Sequence, residues 1–217
     1  MAFDFSQVTN LLEFAKGIDL STLAGTAKEQ ADWIRKKTKE RDVRALWDML
    51  SALPGASGTR VFDAVSKLIV PHAARMGFHV IRLDDTSMTV TMPDKRGNRN
   101  HLDSIHAMAL AHLGEYTTGA LTLYAVSPGH RTILTRYAIE YVAKARGTIT
   151  ARARFTRPKG DLDGKQVTVP AELVDRSGRV VARAEATWKI GSQHPSRPSR
   201  PSGGTAKASS KKRKKRS

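Results

Sequence analysis

The sequence of 217 residues contains no cysteine. Disulfide bonds, thiolate metal sites and thiol nucleophiles are therefore excluded, and a cytoplasmic location fits this composition. No stretch reaches the roughly 18 apolar residues that a membrane-spanning helix needs. The opening residues, Met1 to Phe5, have no basic flank and start no long apolar run, so we expect no secretory signal. No pattern indicates a metal or a cofactor.

Acidic residues are absent from 194–217, although Lys and Arg are abundant there and the whole chain carries a formal net charge of +17. The segment is also rich in Pro, Ser and Gly, so it cannot bury apolar surface, and we predict a disordered basic tail over 192–217. One interpretation is a tether that contacts nucleic acid or another anionic surface nonspecifically through 207–217, or a nuclear address. The other is a solubilising tail.

Helical periodicity dominates the first quarter of the chain, 1–58, which we predict to be a helical extension. Apolar residues recur at helical spacing over 5–15 and about 26–53, and a further helix is predicted over 60–70, before Pro71. The second pattern mixes Trp and Ile with many basic residues. A membrane-surface helix has such a mixture, but an amphipathic helix that packs on a core is the commoner case.

From Phe78 onward the apolar period changes to two, which predicts strands. The first two strands form a hairpin around Asp84–Ser87, and four further runs follow later in the chain. These half-buried alternations predict an antiparallel sheet with one face in water. The residues predicted to share a face are Val80, Met88, Val90 and Met92; Ile133, Thr135, Tyr137, Ile139 and Tyr141; Ile149, Ala151, Ala153 and Phe155; Val167, Val169, Ala171 and Leu173; and Val180, Ala182, Ala184, Ala186 and Trp188.

One helix is predicted between the hairpin and the later strands, with Ser104 as its N-cap and Gly119 near its end. It is apolar nearly all round, so it belongs inside the structure. An antiparallel sheet wrapped around one buried helix is an α+β fold.

Glu115 is the unusual residue of this helix, because burial raises the pKa and the basicity of an unpaired carboxylate. The alternative is a structural ion pair with a buried Arg or Lys. His106 lies in the first turn, near the unpaired N–H groups of the helix, where it could equally be a capping or core residue. His112 is interpreted as a core or interface residue, and Asn100 lies in a polar loop.

The spacing Asn100-(five)-His106-(eight)-Glu115 resembles the active-site segment of hotdog-fold acyl-CoA thioesterases. The stretch from Asn100 to Glu115, together with Tyr141-Val142-Ala143-Lys144-Ala145-Arg146-Gly147, is similar to a PaaI-like branch of putative thioesterases. The resemblance covers about 60–190 and implies a hotdog domain over 59–191.

The resemblance also implies roles for individual residues. Glu115 would be the general base or nucleophile, Asn100 would hold the thioester carbonyl or the water, and His106 would anchor the helix start. The backbone N–H of Ala107 would form the oxyanion hole. Many relatives have Gly-Gly after the His, whereas this chain has Ala107-Met108, and Met108 narrows the approach of the substrate.

Three further residues each have two interpretations, one functional and one structural. Thr135 could orient the water or could be an ordinary sheet residue. Lys144 and Arg146 could contact the phosphates of CoA at the rim of the site, or could be solvated charges.

His106 and Glu115 are nine residues apart, so a helix places them about 13.5 Å apart along its axis and about 180° apart around it. A second, antiparallel copy of the helix would bring them together, which predicts a homodimer or a dimer of dimers. The leading hypothesis is hydrolysis of fatty or aryl acyl-CoA. The alternatives are a non-catalytic acyl-CoA-binding hotdog domain and a nucleic-acid-associated protein that acts through the basic tail.

Overall fold

The computed structural model describes residues 27–40, 42–53 and 57–192. The helices in these ranges are α1 (Ala27–Glu40), α2 (Val43–Ser51), α3 (Ser57–Ile69), α4 (Pro71–Met76) and α5 (Ala107–Val126), with a short 3-10 turn at Arg96–Asn98. The strands are β1 (His79–Leu83), β2 (Ser87–Met92), β3 (His130–Tyr141), β4 (Ile149–Arg154), β5 (Gln166–Val174) and β6 (Val180–Ser192). The predicted helix at 5–15 and the predicted tail beyond Ser192 lie outside the described residues.

The six strands form one sheet in the order β1-β2-β4-β5-β6-β3, and every pairing is antiparallel. The predicted alternation is clear in β4, where Ile149, Ala151 and Ala153 are buried and the residues between them are not. Because the inward residues of β4 and β6 are mostly alanine, a helix can approach this face closely. The predicted α+β arrangement is confirmed.

Helix α5 lies against the inner face of the sheet and is buried nearly all round, as its composition predicts. Two glycines set its distance from the sheet. A Cβ atom on Gly114 would lie 2.6 Å from the Tyr137 hydroxyl, and one on Gly119 would lie 2.7 Å from the Trp188 ring. Gly119 is therefore needed for packing in the middle of the helix, and the prediction that the helix ends near it is wrong.

Three threonines on α5 are fully buried without needing a partner from the sheet. The hydroxyl of Thr117 donates to the Leu113 carbonyl (2.7 Å), that of Thr118 to the Gly114 carbonyl (3.0 Å), and that of Thr122 to the Thr118 carbonyl (2.7 Å). Each hydroxyl is thus satisfied by a carbonyl of its own helix.

Strand β3 departs from the predicted alternation. Its register with β6 shifts between Leu134 and Arg136, which is a β-bulge. The bulge moves the inward positions by one residue, so Leu134 packs against the core before it and Tyr137 after it, while Ile133 is 55% exposed. The prediction that Ile133 and Tyr137 share one face is therefore wrong.

The helices α2 and α3 pack together and on α5. Leu46, Trp47 and Leu50 of α2 are buried, and the ring of Trp47 meets that of Phe62 on α3 edge-on, with centroids 5.0 Å apart. Trp33 of α1 is also packed against this core, so α1 and α2 are packing helices. Pro71 ends the predicted third helix but also begins α4, because proline is favourable at the first position of a helix.

Within the described ranges, no helix has both the length and the apolar character needed to cross a bilayer. In the same ranges, no three His, Cys, Asp or Glu side chains are grouped so that they could hold a metal ion.

Candidate active site

The start of α5 is organised by His106, which is its N-cap. The Nδ1 atom of His106 accepts a hydrogen bond from the N–H of Met108 at 3.1 Å, and the His106 N–H donates to the Asn98 carbonyl at 2.8 Å. The prediction that Ser104 is the N-cap is therefore wrong. Ser104 is buried two residues earlier, where its hydroxyl donates to the Asn100 side chain at 3.2 Å.

Ala107 is the first residue of the helix and is exposed to solvent. Within the described residues its backbone N–H donates no hydrogen bond, whereas the N–H groups of Met108, Ala109 and Leu110 all donate to His106. A free N–H at a helix N-terminus carries partial positive charge from the helix dipole. This position can stabilise a negative oxygen.

Asn100 shapes the loop before the helix. Its Oδ1 atom accepts hydrogen bonds from the N–H of Leu102 (2.9 Å) and from the N–H (3.3 Å) and hydroxyl (3.2 Å) of Ser104. The carbonyl oxygen is therefore fully used within the loop. The side-chain NH2 group donates no hydrogen bond within the described residues, so it is the group that remains for a substrate or a water.

Lys144 and Arg146 lie in the segment that is hydrogen-bonded to the residues just before α5. They flank Ala145, whose carbonyl accepts a hydrogen bond from the Ile105 N–H at 2.9 Å. Both side chains are exposed, and neither forms an ion pair in the described part of the chain. Two exposed cations therefore flank a residue that is hydrogen-bonded to the segment just before α5.

Large apolar side chains are also exposed near the helix start. Met108 is 66% exposed, and Leu102, Tyr141 and Val142 are also large, exposed apolar residues. The hydroxyl of Tyr141 donates to the Ala107 carbonyl at 3.0 Å, which fastens the end of β3 to the first turn of α5. We call these four residues the apolar collar.

Glu115 lies two turns further along α5 and is largely buried. It makes no hydrogen bond through its carboxylate and no ion pair with any described residue, so the predicted alternative of a structural ion pair finds no partner there. Burial raises the pKa of the Glu115 carboxyl above its ordinary value of 4.5. A desolvated, unpaired carboxylate is a strong base when ionised.

Glu115 lies in the wall of a partly open cavity of about 190 Å³. The cavity is bounded by α5 on one side, by Thr132 and Trp188 of the sheet on another, and by α2 and α3 on the third. Its walls are mostly apolar. The polar groups in them include the Glu115 carboxylate, the hydroxyl of Thr132 and the hydroxyl of Tyr116, whose pKa is raised to about 12 chiefly by burial.

Thr132, not Thr135, is the threonine of β3 that lines this cavity. Thr135 lies at the bulge, is exposed, and donates through its hydroxyl to the Thr187 carbonyl at 3.0 Å. Sequence alternation alone points to Thr135 because it does not reveal the bulge. Thr132, Tyr116 and Trp188 were missed, and only their apolar or aromatic neighbours on the inner face could have indicated them.

The predicted site residues therefore fall into two groups within one protomer. Asn100, His106 and Ala107 gather at the start of α5, while Glu115 is at the cavity. Ala107 and Glu115 are eight residues apart on one helix, which separates them by about 12 Å along its axis. Within one protomer the Ala107 N–H and the Glu115 carboxylate are therefore too far apart to contact the same carbonyl group.

Comparison with known families identifies the family of this chain. Residues 58–190 match a family model described as a domain of unknown function, DUF4442. The chain belongs to the DUF4442 family. That match begins inside α3 and ends in β6, so it includes the whole sheet and α5 but not α2. No curated protein matches the chain at a significant level.

Solved structures show that this DUF4442 chain has the hotdog fold of thioesterase family proteins. A structural-genomics target is 27% identical, with a TM-score of 0.59, over 69% of this chain and 97% of its own. A Pseudomonas aeruginosa protein of unknown function, a probable thioesterase, is 25% identical, with a TM-score of 0.52, over 59% and 91%. A thioesterase family protein from Silicibacter pomeroyi is 16% identical, with a TM-score of 0.53, over 60% and 96%, which speaks for the fold alone.

Proposed function

We propose that this DUF4442 protein is a thioesterase that hydrolyses fatty or aryl acyl-CoA, with Glu115 as its base. The observation that carries the proposal is a largely buried carboxylate without a partner among the described residues, in the wall of a mostly apolar cavity. Burying such a group costs stability, and perturbed carboxyl groups of this kind cluster at functional sites. The name of the Pseudomonas aeruginosa neighbour, a probable thioesterase, agrees with this chemistry.

The proposed reaction needs a base, a water and an oxyanion donor. Glu115 takes a proton from water as the water oxygen attacks the thioester carbonyl carbon, which becomes tetrahedral. The N–H of Ala107 donates to the developing oxyanion, and one such donor contributes about 3–4 kcal/mol to transition-state stabilisation. The C–S bond then breaks, and the sulfur leaves as the CoA thiol after taking the proton from Glu115. Direct attack by Glu115 would instead give an anhydride that water hydrolyses.

A complete site requires two protomers in this proposal, because Ala107 and Glu115 are too far apart on one helix. Strand β3 supports a dimer: it is an edge strand that pairs only with β6 in the described sheet. The apolar collar lies at the end of the same strand. A second copy with its α5 antiparallel would cover the collar and place its Ala107 near the first copy's Glu115.

Two experiments test the proposal. Release of thiol from a panel of aliphatic and aryl acyl-CoA thioesters should reveal activity that Glu115→Gln abolishes. Subunit exchange between two inactive variants, Glu115→Gln and Ala107→Pro, should restore activity in part, since each heterodimer then contains one intact site. Demonstrated exchange without recovery would show that each protomer holds its own site and would refute the shared arrangement.

Lys144 and Arg146 allow a further test, which asks whether the site binds the nucleotide phosphates of CoA. Lys144→Ala and Arg146→Ala should raise KM for an acyl-CoA several-fold but leave KM unchanged for the matching acyl-pantetheine, which lacks the nucleotide phosphates. Equal effects on both substrates would mean that these residues do not contact the nucleotide.

One observation favours a second candidate function, a non-catalytic acyl-CoA-binding domain. The residue after His106 and Ala107 is Met108, where the resemblance implies a glycine. The thiol-release panel distinguishes the two functions. Tight binding of acyl-CoA without release of thiol from any member would favour the binding domain.

A further inference from the structure

The cavity beside Glu115 has a defined direction. Among its wall residues on α5 are Glu115, Ala120 and Leu123, so it follows the helix for about eight residues, or about 12 Å. The polar carboxylate lies at one end of this course and the apolar side chain of Leu123 at the other. A ligand with a polar head and an apolar tail matches this polarity.

Helix α2 contributes Val43 to the wall of the cavity and is held against α5. Arg44 of α2 donates through Nε to the Tyr124 carbonyl at 3.1 Å and lies over the Tyr124 ring, with its guanidinium carbon 4.2 Å from the centroid. The Tyr124 hydroxyl donates to Asp48 at 2.6 Å, also on α2. These contacts bind α2 to the last turns of α5 and fix Val43 in the wall next to Leu123.

The outer side of the cavity is formed by α3. Phe62 and Ile69 line it, and the edge-on contact of Phe62 with Trp47 holds α3 against α2. The family match begins at residue 58, so it includes nearly all of α3 and none of α2. The part of the cavity wall that Val43 forms therefore belongs to a segment of this chain that the family model does not include.

We infer that helices α2 and α3 line an acyl-chain pocket that begins at Glu115 and accepts unbranched chains of on the order of eight to ten carbons. The length follows from geometry: an extended chain advances about 1.25 Å per carbon, since its bonds are about 1.5 Å long with angles near 111°. A course of about 12 Å then holds about eight to ten carbons. A cavity of about 190 Å³ is also too small for a long fatty chain. The inference rests on the proposed function, because it places the thioester carbonyl at Glu115.

Two substitutions should change the chain length in opposite directions. Ala120→Leu adds three carbons to the wall and should shift the optimum toward shorter chains, with at least a tenfold loss for decyl ligands, because one methylene in an apolar pocket changes binding by about 10- to 200-fold. Val43→Ala makes the cavity larger and should shift the optimum toward longer chains. The matched controls are Ala74→Leu and Val61→Ala, which change residues of similar burial outside the cavity.

Binding and turnover are measured separately so that the two proposals can fail independently. The affinity of S-alkyl-CoA thioethers, from butyl to hexadecyl, reports the pocket without any hydrolysis. Hydrolysis of the corresponding acyl-CoA thioesters reports the function. We expect an optimum at octyl to decyl, moved by Ala120→Leu and Val43→Ala and unmoved by the controls.

Each other result has a definite meaning. An optimum that responds to both variants, without hydrolysis of any thioester, would support the pocket and refute the proposed function. Hydrolysis with a chain-length profile that neither variant changes would support the function and overturn the pocket. Thioether affinity that does not depend on chain length would also overturn it.

Discussion

Neutralising Glu115 has opposite expected effects on activity and on stability. The folded pKa of Glu115 is raised above its unfolded value, so the folded state binds the proton more tightly than the unfolded state. Stability from this group is therefore complete at low pH and is lost as pH rises through the folded pKa. At neutral pH the ionised carboxylate destabilises the fold, and Glu115→Gln should melt at the same temperature as the wild type or higher.

The expected loss of activity is large. Gln has nearly the shape of Glu but cannot accept the proton from water, and a positioned general base contributes about 10²- to 10⁴-fold to the rate. Turnover should therefore fall by at least 10²-fold while S-alkyl-CoA affinity is kept. The wild-type rate should rise with pH through a pKa above 4.5, because only the ionised carboxylate is a base.

The assay pairs thiol release with thermal melting at neutral pH. Glu185→Gln is the matched control, because it removes one negative charge from the exposed face of β6. A marked fall in the melting temperature of Glu115→Gln would reveal a cation that the carboxylate had been neutralising, since breaking a buried pair costs about 3–5 kcal/mol. That result, or unchanged turnover, would refute the reasoning about this residue.

The other expected outcomes concern the helix start, a histidine pair and the tail. Ala107→Pro removes the N–H proposed to bind the oxyanion, at a position where proline suits the helix, so turnover should fall about 10²- to 10³-fold with little change in melting temperature. Ala107→Gly keeps the N–H and should stay active. Equal activity of the two variants would show that this N–H does not stabilise the oxyanion. Burial, with a smaller contribution from nearby His72, lowers the pKa of His112 to about 4, so its neutral form stabilises the fold above about pH 6.5 and this stability is lost as pH falls toward 4. In His112→Phe, the fall in melting temperature between pH 7 and pH 5 should shrink by a few degrees; an unchanged fall would assign the pH dependence elsewhere. Removal of 195–217 should leave melting and turnover unchanged and abolish salt-sensitive retention on DNA; loss of folding would mean that the tail docks.

The sequence predicted the elements whose residues repeat regularly. The hairpin around Asp84–Ser87 is confirmed, and so is the alternation of β4, which has one buried face over its whole length. In β6 the alternation holds from Ala182 to Ile190, but Val181 next to Ala182 is buried as well. The buried character of α5 is also confirmed, because the helix is apolar nearly all round. Its ends were misplaced: His106 has the capping geometry that Ser104 lacks, and Gly119 serves packing against Trp188.

The site was only partly accessible from sequence. The spacing of Asn100, His106 and Glu115 identified residues on one helix and the loop before it, which are local in the chain. The cavity is not local: Phe62, Leu123 and Trp188 come from three distant elements, and no sequence pattern joins them. Because of the bulge in β3, the threonine that lines the cavity is Thr132 and not the predicted Thr135, since one extra residue reverses the inward side of a strand.

The self-satisfied threonines of α5 have a consequence for how this protein would respond to selection. Because Thr117, Thr118 and Thr122 meet their hydrogen-bonding needs within the helix, replacing them offers little gain in stability. Glu115 is different, since its carboxylate has no such relief among the described residues. A library screened for heat resistance alone should therefore enrich neutral residues at position 115. With Glu115 as the proposed base, we expect such survivors to be more heat-resistant and inactive, so a stabilisation experiment should also select for turnover.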